Sequence, residues 1–153
     1  MSDWGITTKV PAEVMLAEGI ALAGDLHLYA RTTYPPGPET PLEMLNRGDT
    51  FFALTLDGGG VTFVPKTQVV VVSCRGPSPL LDPDRASAAR QIELEVVVQG
   101  GAEYRGRAAI ELHPSRSRSL DYLNGAGQFF ALGSDDVSWY INKSRVRFAR
   151  PLD

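Results

Sequence analysis

The sequence predicts a mainly β protein built from two tandem five-strand units, each with one short helix between its second and third strands. Three observations carry this prediction. First, the 153-residue chain matches itself at an offset of 78: Leu42-Glu43-Met44-Leu45-Asn46 falls on Leu120-Asp121-Tyr122-Leu123-Asn124, and Phe51-Phe52-Ala53-Leu54 falls on Phe129-Phe130-Ala131-Leu132. Seven of thirteen positions are identical, and self-similarity at a fixed period is the signature of a repeated structural unit. Second, the apolar residues flanking those blocks alternate with period two, the spacing of a half-buried strand. Third, glycine, proline and asparagine punctuate the runs where turns are needed.

The elements follow in chain order. Val10, Ala12, Val14 and Leu16 alternate as a first strand, and Ile92, Leu94, Val96 and Val98 are their counterparts. Second strands are expected around Ile20, Leu22, Leu26 and Leu28, and around Ala102, Tyr104, Ala108 and Ile110. Gly24 and Gly106 lie within them, where a glycine suggests a bulge or bend. Thr40-Pro41-Leu42-Glu43 carries a capping hydroxyl, a proline at the first helical position and a glutamate three residues after the cap. Ser119 and Asp121 serve the second helix similarly, and Asn46 and Asn124 stand where a left-handed residue would close each helix. Phe51–Leu54 and Phe129–Leu132 are third strands, and the twin Phe-Phe pairs are expected in alike environments.

Asp57-Gly58-Gly59-Gly60 reads as a hairpin turn; it lacks the lysine and hydroxyl ending of a phosphate-binding loop. At an offset of 77, Pro65-Lys66-Thr67-Gln68 matches Asn142-Lys143-Ser144-Arg145, a spacing suited to a single tight helical turn between the fourth and fifth strands. Residues 1–8 read as an N-terminal arm that Trp4 pins, 9–73 as the first repeat, 74–90 as a linker and 91–153 as the second repeat. Gly76-Pro77-Ser78-Pro79 makes the start of the linker irregular, and a helical turn is expected over Arg85 to Gln91.

Five short strands with a small helix and a tight turn resemble the Sm-like family of small β-barrels. The resemblance implies two tandem small five-stranded β-barrel-like units. The family's RNA-contacting motifs are not recognisable in the chain, so its RNA activity is carried to no residue. The Leu-x-x-Leu-Asn, Phe-Phe-x-Leu and Asn-Lys elements also look like a repeated unit in uncharacterised bacterial proteins.

The formal net charge of −3 argues against a dedicated nucleic-acid binder, which needs an excess of Lys and Arg to neutralise phosphates. A single cysteine, Cys74, excludes an intramolecular disulfide and suits a reducing cytoplasm, where a buried structural thiol is expected. No run approaches the ~20 apolar residues of a membrane-spanning helix. His27 and His113 occupy non-equivalent positions on the polar sides of second strands and read as surface histidines. No catalytic set, metal set or cofactor is expected.

Lys66 and Lys143 recur at the same turn, which suits either capping of backbone carbonyls or contact with a partner or anion. Residues 1–72 carry four basic and eight acidic side chains, whereas residues 90–153 carry nine and eight. Arg105 and Arg107 share a strand face, Arg116 and Arg118 follow in a loop, and Arg145 and Arg147 are expected on the outer face of the last strand. This gives a candidate anion or partner site, or else a solvated face paired with Glu103 and Glu111. Val70 and Val72 replace Arg147 and Ala149, making the first fifth strand apolar on both faces and therefore a candidate interface that something must cover. The functional expectation is a non-enzymatic adaptor or assembly protein binding another protein or itself, with nucleic-acid or anionic-ligand binding through the second repeat as the alternative.

Overall fold

Among the described residues, ten antiparallel strands hydrogen-bond into one open sheet. The computed structural model describes residues 7–32, 34, 36–75, 90–110 and 119–152, excepting the side chains of residues 90 and 110. The first half contains β1 (Thr8–Leu16), β2 (Ala21–Leu28), α1 (Pro41–Asn46), β3 (Phe51–Leu56), β4 (Val61–Pro65) and β5 (Val69–Arg75). The second contains β6 (Arg90–Val98), β7 (Glu103–Ile110), α2 (Ser119–Leu123), β8 (Phe129–Gly133), β9 (Val137–Asn142) and β10 (Val146–Pro151). A 3-10 turn at Lys66–Gln68 joins β4 to β5, and another at Lys143–Arg145 joins β9 to β10.

The strand order is β10-β6-β7-β8-β9-β5-β1-β2-β3-β4, so each half runs fifth, first, second, third, fourth. The halves do not close into two barrels. Closure would pair each fifth strand with the fourth strand of its own half. Instead β5 pairs with β9 across the halves, aligning Val72 with Tyr140 and Ser73 with Trp139, and leaving β4 and β10 as the two ends of the sheet.

Local sequence accounts for most elements. In β1, Val10, Ala12 and Val14 are buried and the residues between them exposed, as period two requires. Thr40 caps α1 with a complete capping box: its hydroxyl accepts from the Glu43 amide and the Glu43 carboxylate accepts from the Thr40 amide. The Asp57–Gly60 segment turns back through Gly59 and Gly60 at φ of 97° and 86°, values that glycine adopts without a Cβ penalty.

Several expectations are corrected. Gly24 and Gly106 are not bulges; the ladder passes through Ala12↔Gly24 and Leu94↔Gly106 without a shift, and the registers slip instead at Met15/Leu16 and Val146/Phe148. The glycines serve close approach: a Cβ on Gly24 would collide with the Thr55 carbonyl group. Asn46 and Asn124 are not left-handed, since Glu18 is the only non-glycine residue with positive φ among the described residues. Ser119 begins α2 rather than preceding it. β5 continues through Arg75, and Arg90 and Gln91 are strand rather than helical turn; residues 1–6, with Trp4, and 76–89 lie outside the described residues.

The core explains the joint between halves. Residues directly opposite in an antiparallel ladder project to the same face. Val72 belongs to the face of Val14 and Leu54, so its partner Tyr140 enters the core of the first half together with Phe129 and Ala131. Val70 and Val71 pack conversely into the second-half core with Leu94, Phe130 and Ile141. Each half thus completes its core with side chains from the other, and full burial of such a side chain contributes roughly 1.5–3 kcal/mol.

Candidate functional site

The recurring lysines point inward, at helix ends. The Lys66 ammonium donates to the carbonyls of Met44 at 2.8 Å and Arg47 at 3.0 Å, and Lys143 donates to the Gly125 carbonyl at 2.7 Å. These carbonyls lie at the C-terminal ends of the short helices, and that of Met44 also accepts from the Arg47 amide. Desolvation lowers the pKa of both lysines; at Lys66 the nearby Arg47 lowers it further, while Asp49 and Glu39 oppose the shift. Lys66 is buried, so Lys66→Met is expected to destabilise the fold by about 1–3 kcal/mol, the cost of stranding buried acceptors. Lys143→Met should cost less because its hydrogen bond is exposed. Urea unfolding of the two variants side by side measures the difference.

Among the described residues, the arginines of the second half do not form one bare cationic surface. Arg105 binds the buried carboxylate of Glu95 at 2.6 Å, and Arg150 binds its other oxygen at 3.0 Å. Arg107 pairs with Asp135 at 2.8 Å. Arg145 lies in the 3-10 turn rather than on the outer face of the last strand; it donates to the Thr67 carbonyl of the first half and to Gln99, bracing the joint. Arg147 is exposed on β10. Glu111, His113, Arg116 and Arg118 lie outside the described residues.

A charged cluster surrounds α1. Arg47 pairs with Glu39 at 3.1 Å and stacks over Tyr29 with its guanidinium 4.6 Å from the ring centroid, and Arg31 pairs with Glu43 at 2.6 Å. Desolvation raises the pKa of Glu39 despite the Tyr29 amide and Arg47. Burial also pushes Glu43 upward, but Arg31 and Thr40 hold it below the ordinary value. Folded protein therefore holds the Glu39 proton more tightly than unfolded chain, and this group's contribution to stability falls as pH rises from the ordinary glutamate pKa through the raised one. Glu43 contributes the opposite slope. The stability difference between wild type and Glu39→Gln should accordingly shift against wild type across that window, as measured by urea titrations from pH 4 to 7.

His27 is buried rather than a surface histidine. Its ring nitrogens lie 2.9 Å from the Thr7 hydroxyl and 2.7 Å from the Thr55 hydroxyl, and desolvation lowers its pKa, assisted by Lys9 and opposed by Asp25. Cys74 is fully buried. Among the described residues no three His, Cys, Asp or Glu side chains form a group that could hold a metal ion, and no helix is long and apolar enough to cross a membrane.

An exposed apolar surface lies on the outer face of the β3–β4 hairpin. The registers Ala53↔Phe63 and Thr55↔Val61 place Phe51, Ala53, Val61 and Phe63 on one face. Phe51 is 54% exposed and Phe63 62%, whereas Phe129 and Tyr140, their counterparts in the repeated blocks, are 2% and 0% exposed. The inner pair Phe52 and Phe130 are both buried, so the twin Phe-Phe motifs share one environment and differ in the other. A hollow lined by His27, Tyr29, Arg47 and Asp49 borders Phe51 and Phe63, giving the apolar face a polar rim. The twin Phe-Phe pairs are expected in alike environments from the sequence, which gives Phe63 no role; Phe51 and Phe129 depart from that expectation. The available signal was apolar character on both faces of β3, with Phe51 and Ala53 on one and Phe52 and Leu54 on the other.

No family model, no curated protein and no solved structure matches the chain.

Proposed function

We propose that this is a non-enzymatic adaptor or assembly protein that binds another protein chain through the outer face of the β3–β4 hairpin. The observation that carries the reading is the clustering of exposed Phe51, Val61 and Phe63 on one face of β3 and β4, the last two strands at one end of the sheet, beside a rim of charged groups. Exposed apolar patches rimmed by polar residues mark protein-interaction sites, and aromatic residues are enriched at interface cores. Val70 and Val72 are spent inside the joint and are not offered to a partner. Binding of nucleic acid or another anion through Arg105, Arg107, Arg145 and Arg147, or through Lys66 and Lys143, draws less support, because all but Arg147 are engaged with carboxylates, carbonyls or an amide.

The same reading takes the two halves as duplicated, barrel-like units of Sm-like character in a reducing cytoplasm. What supports it is the shared strand order, the short helix at the same place in each half and the lone buried thiol.

Phe63→Asp tests the reading, since a carboxylate at an exposed position leaves the fold intact while opposing apolar docking. Protein-partner capture and sizing chromatography of wild type and variant should differ. Equal behaviour of the two would overturn the assignment of this face.

A further inference from the structure

We infer that the occupant of the β3–β4 face is the α2–β10 end of a second copy of this chain, seated as β8–β9 is seated on α1 and β5 within one molecule; this rests on reading that face as a protein-binding surface.

The joint inside the chain defines the geometry. β9 pairs with β5, the outer side chains Phe129 and Tyr140 enter the first-half core, and Asn46 clasps the backbone of Phe129 in both directions. The Asn46 amide donates to the Phe129 carbonyl at 3.2 Å, and its oxygen accepts from the Phe129 amide at 2.8 Å. The sequence correspondence places surfaces of the same two kinds at opposite ends of the sheet. Phe51 and Phe63 stand where Phe129 and Tyr140 do, at offsets of 78 and 77, while Tyr122, Leu123 and Asn124 stand where Met44, Leu45 and Asn46 do.

Burial follows the same division. Met44 and Leu45 are buried beneath the second half, but Tyr122 and Leu123 are half-buried, Asn124 is exposed and Leu120 is 60% exposed. On β10, Phe148 is 49% exposed, whereas its counterpart Val71 is buried. One end of the molecule presents what the middle uses as insert, and the other presents what the middle uses as receptor. Such a pair of unlike surfaces is heterologous and associates head to tail.

The joint also fixes the register. Val72↔Tyr140 becomes Ala149 of one copy against Phe63 of the next, and Ser73↔Trp139 becomes Arg150 against Thr62.

Two prolines set the strength. The Leu152 amide donates to Glu93 on β6 and the Lys66 amide to Thr50, so alternation turns the nitrogens of Pro151 and Pro65 toward the outer edges of β10 and β4. Their counterparts at the internal joint are Cys74 and Asn142, and Asn142 adds side-chain hydrogen bonds to the Lys66 and Val69 carbonyls that Pro65 cannot make. Pro151 removes a donor at the position where Cys74 joins the internal ladder opposite Ser138, as edge prolines do to restrain pairing, and Pro65 lacks the side-chain bonds of Asn142. The contact between copies is therefore weaker than the internal joint and depends on concentration.

The experiment uses two full-length chains, Thr62→Cys and Arg150→Cys, mixed at high concentration under mild oxidation; native Cys74 is buried and does not compete. A disulfide-linked pair is expected from the mixture and from neither chain alone. Sedimentation of wild type should show mass rising with concentration, and Pro151→Val should tighten the association roughly fivefold, the worth of one backbone hydrogen bond. Dimers from the Thr62→Cys chain alone would mean that two β4 edges pair with each other and would overturn the head-to-tail arrangement. A wild type that stays monomeric with no cross-link in any mixture overturns the second copy as occupant. If Phe63→Asp still abolishes capture of some other protein in that case, the docking face survives and only its occupant is wrong; if it changes nothing, both readings fall.

Discussion

Tyr140→Ala is expected to destabilise the protein by about 3–5 kcal/mol, the range for removing a large aromatic side chain from a packed core. Tyr140 is fully buried, and although β9 belongs to the second half, the ring fills the core of the first. The loss should therefore disrupt both halves, and denaturant unfolding followed by probes in each should show one shared transition displaced to lower denaturant. Against a typical total of about 5–15 kcal/mol, such a loss leaves a marginal fold. Phe63→Ala is the internal control. It alters the counterpart position, and at a concentration low enough to keep the chain monomeric it should cost no more than about 0.5 kcal/mol, as surface substitutions do. Equal costs for the two would mean that the β3–β4 face is buried in solution.

Gly24→Ala should cost about 3 kcal/mol, the upper part of the usual range for overpacking. A Cβ there would collide with the Thr55 carbonyl oxygen and lie 2.8 Å from the Thr55 carbonyl carbon and 3.0 Å from the Leu56 Cα. All three atoms are backbone, so no rotamer change relieves the overlap and β3 must move away from β2. That displacement threatens the ladder Gly24↔Leu56, Asp25↔Thr55 and Leu26↔Leu54, on which the β3–β4 hairpin hangs. Hydrogen exchange should then quicken first at the amides of β3 and β4. Gly106→Ala meets the Gly133 carbonyl oxygen at 2.7 Å and a Leu132 side-chain carbon at 3.1 Å, an easier overlap beside a ladder registered only at Arg107↔Gly133. Its expected cost is smaller. A Gly106 variant less stable than the Gly24 variant would contradict this ordering.

Much of the secondary structure is legible in the residues because its causes are local. Alternation in Val10, Ala12 and Val14 marks a strand with one buried face, and Thr40-Pro41-Leu42-Glu43 contains the groups that cap α1. The sequence leaves the lysines at the two tight turns open to carbonyl capping or to contact with a partner or anion, and in the fold they donate to carbonyls at helix ends. His27 misleads because alternation with Leu26 and Leu28 assigns it to the polar side of its strand, whereas it is buried there with its ring held by Thr7 and Thr55, which only the sheet brings to it. Arg145 misleads for a similar reason: the carbonyl it reaches belongs to Thr67, seventy-eight residues away.

By itself the sequence determined strand periodicity, the capping box of α1, hairpin and tight-turn positions, and the fact that β5 must be covered on both faces. The tertiary structure alone decided that the cover is the other half, that β5 pairs with β9 to leave one open sheet, and that Phe129 is enclosed while Phe51 faces solvent. The physical reason is that identical side chains in matching strands carry the same local preferences, whereas burial depends on which edge each strand meets, and edge pairing is settled by long-range packing that no window of sequence contains.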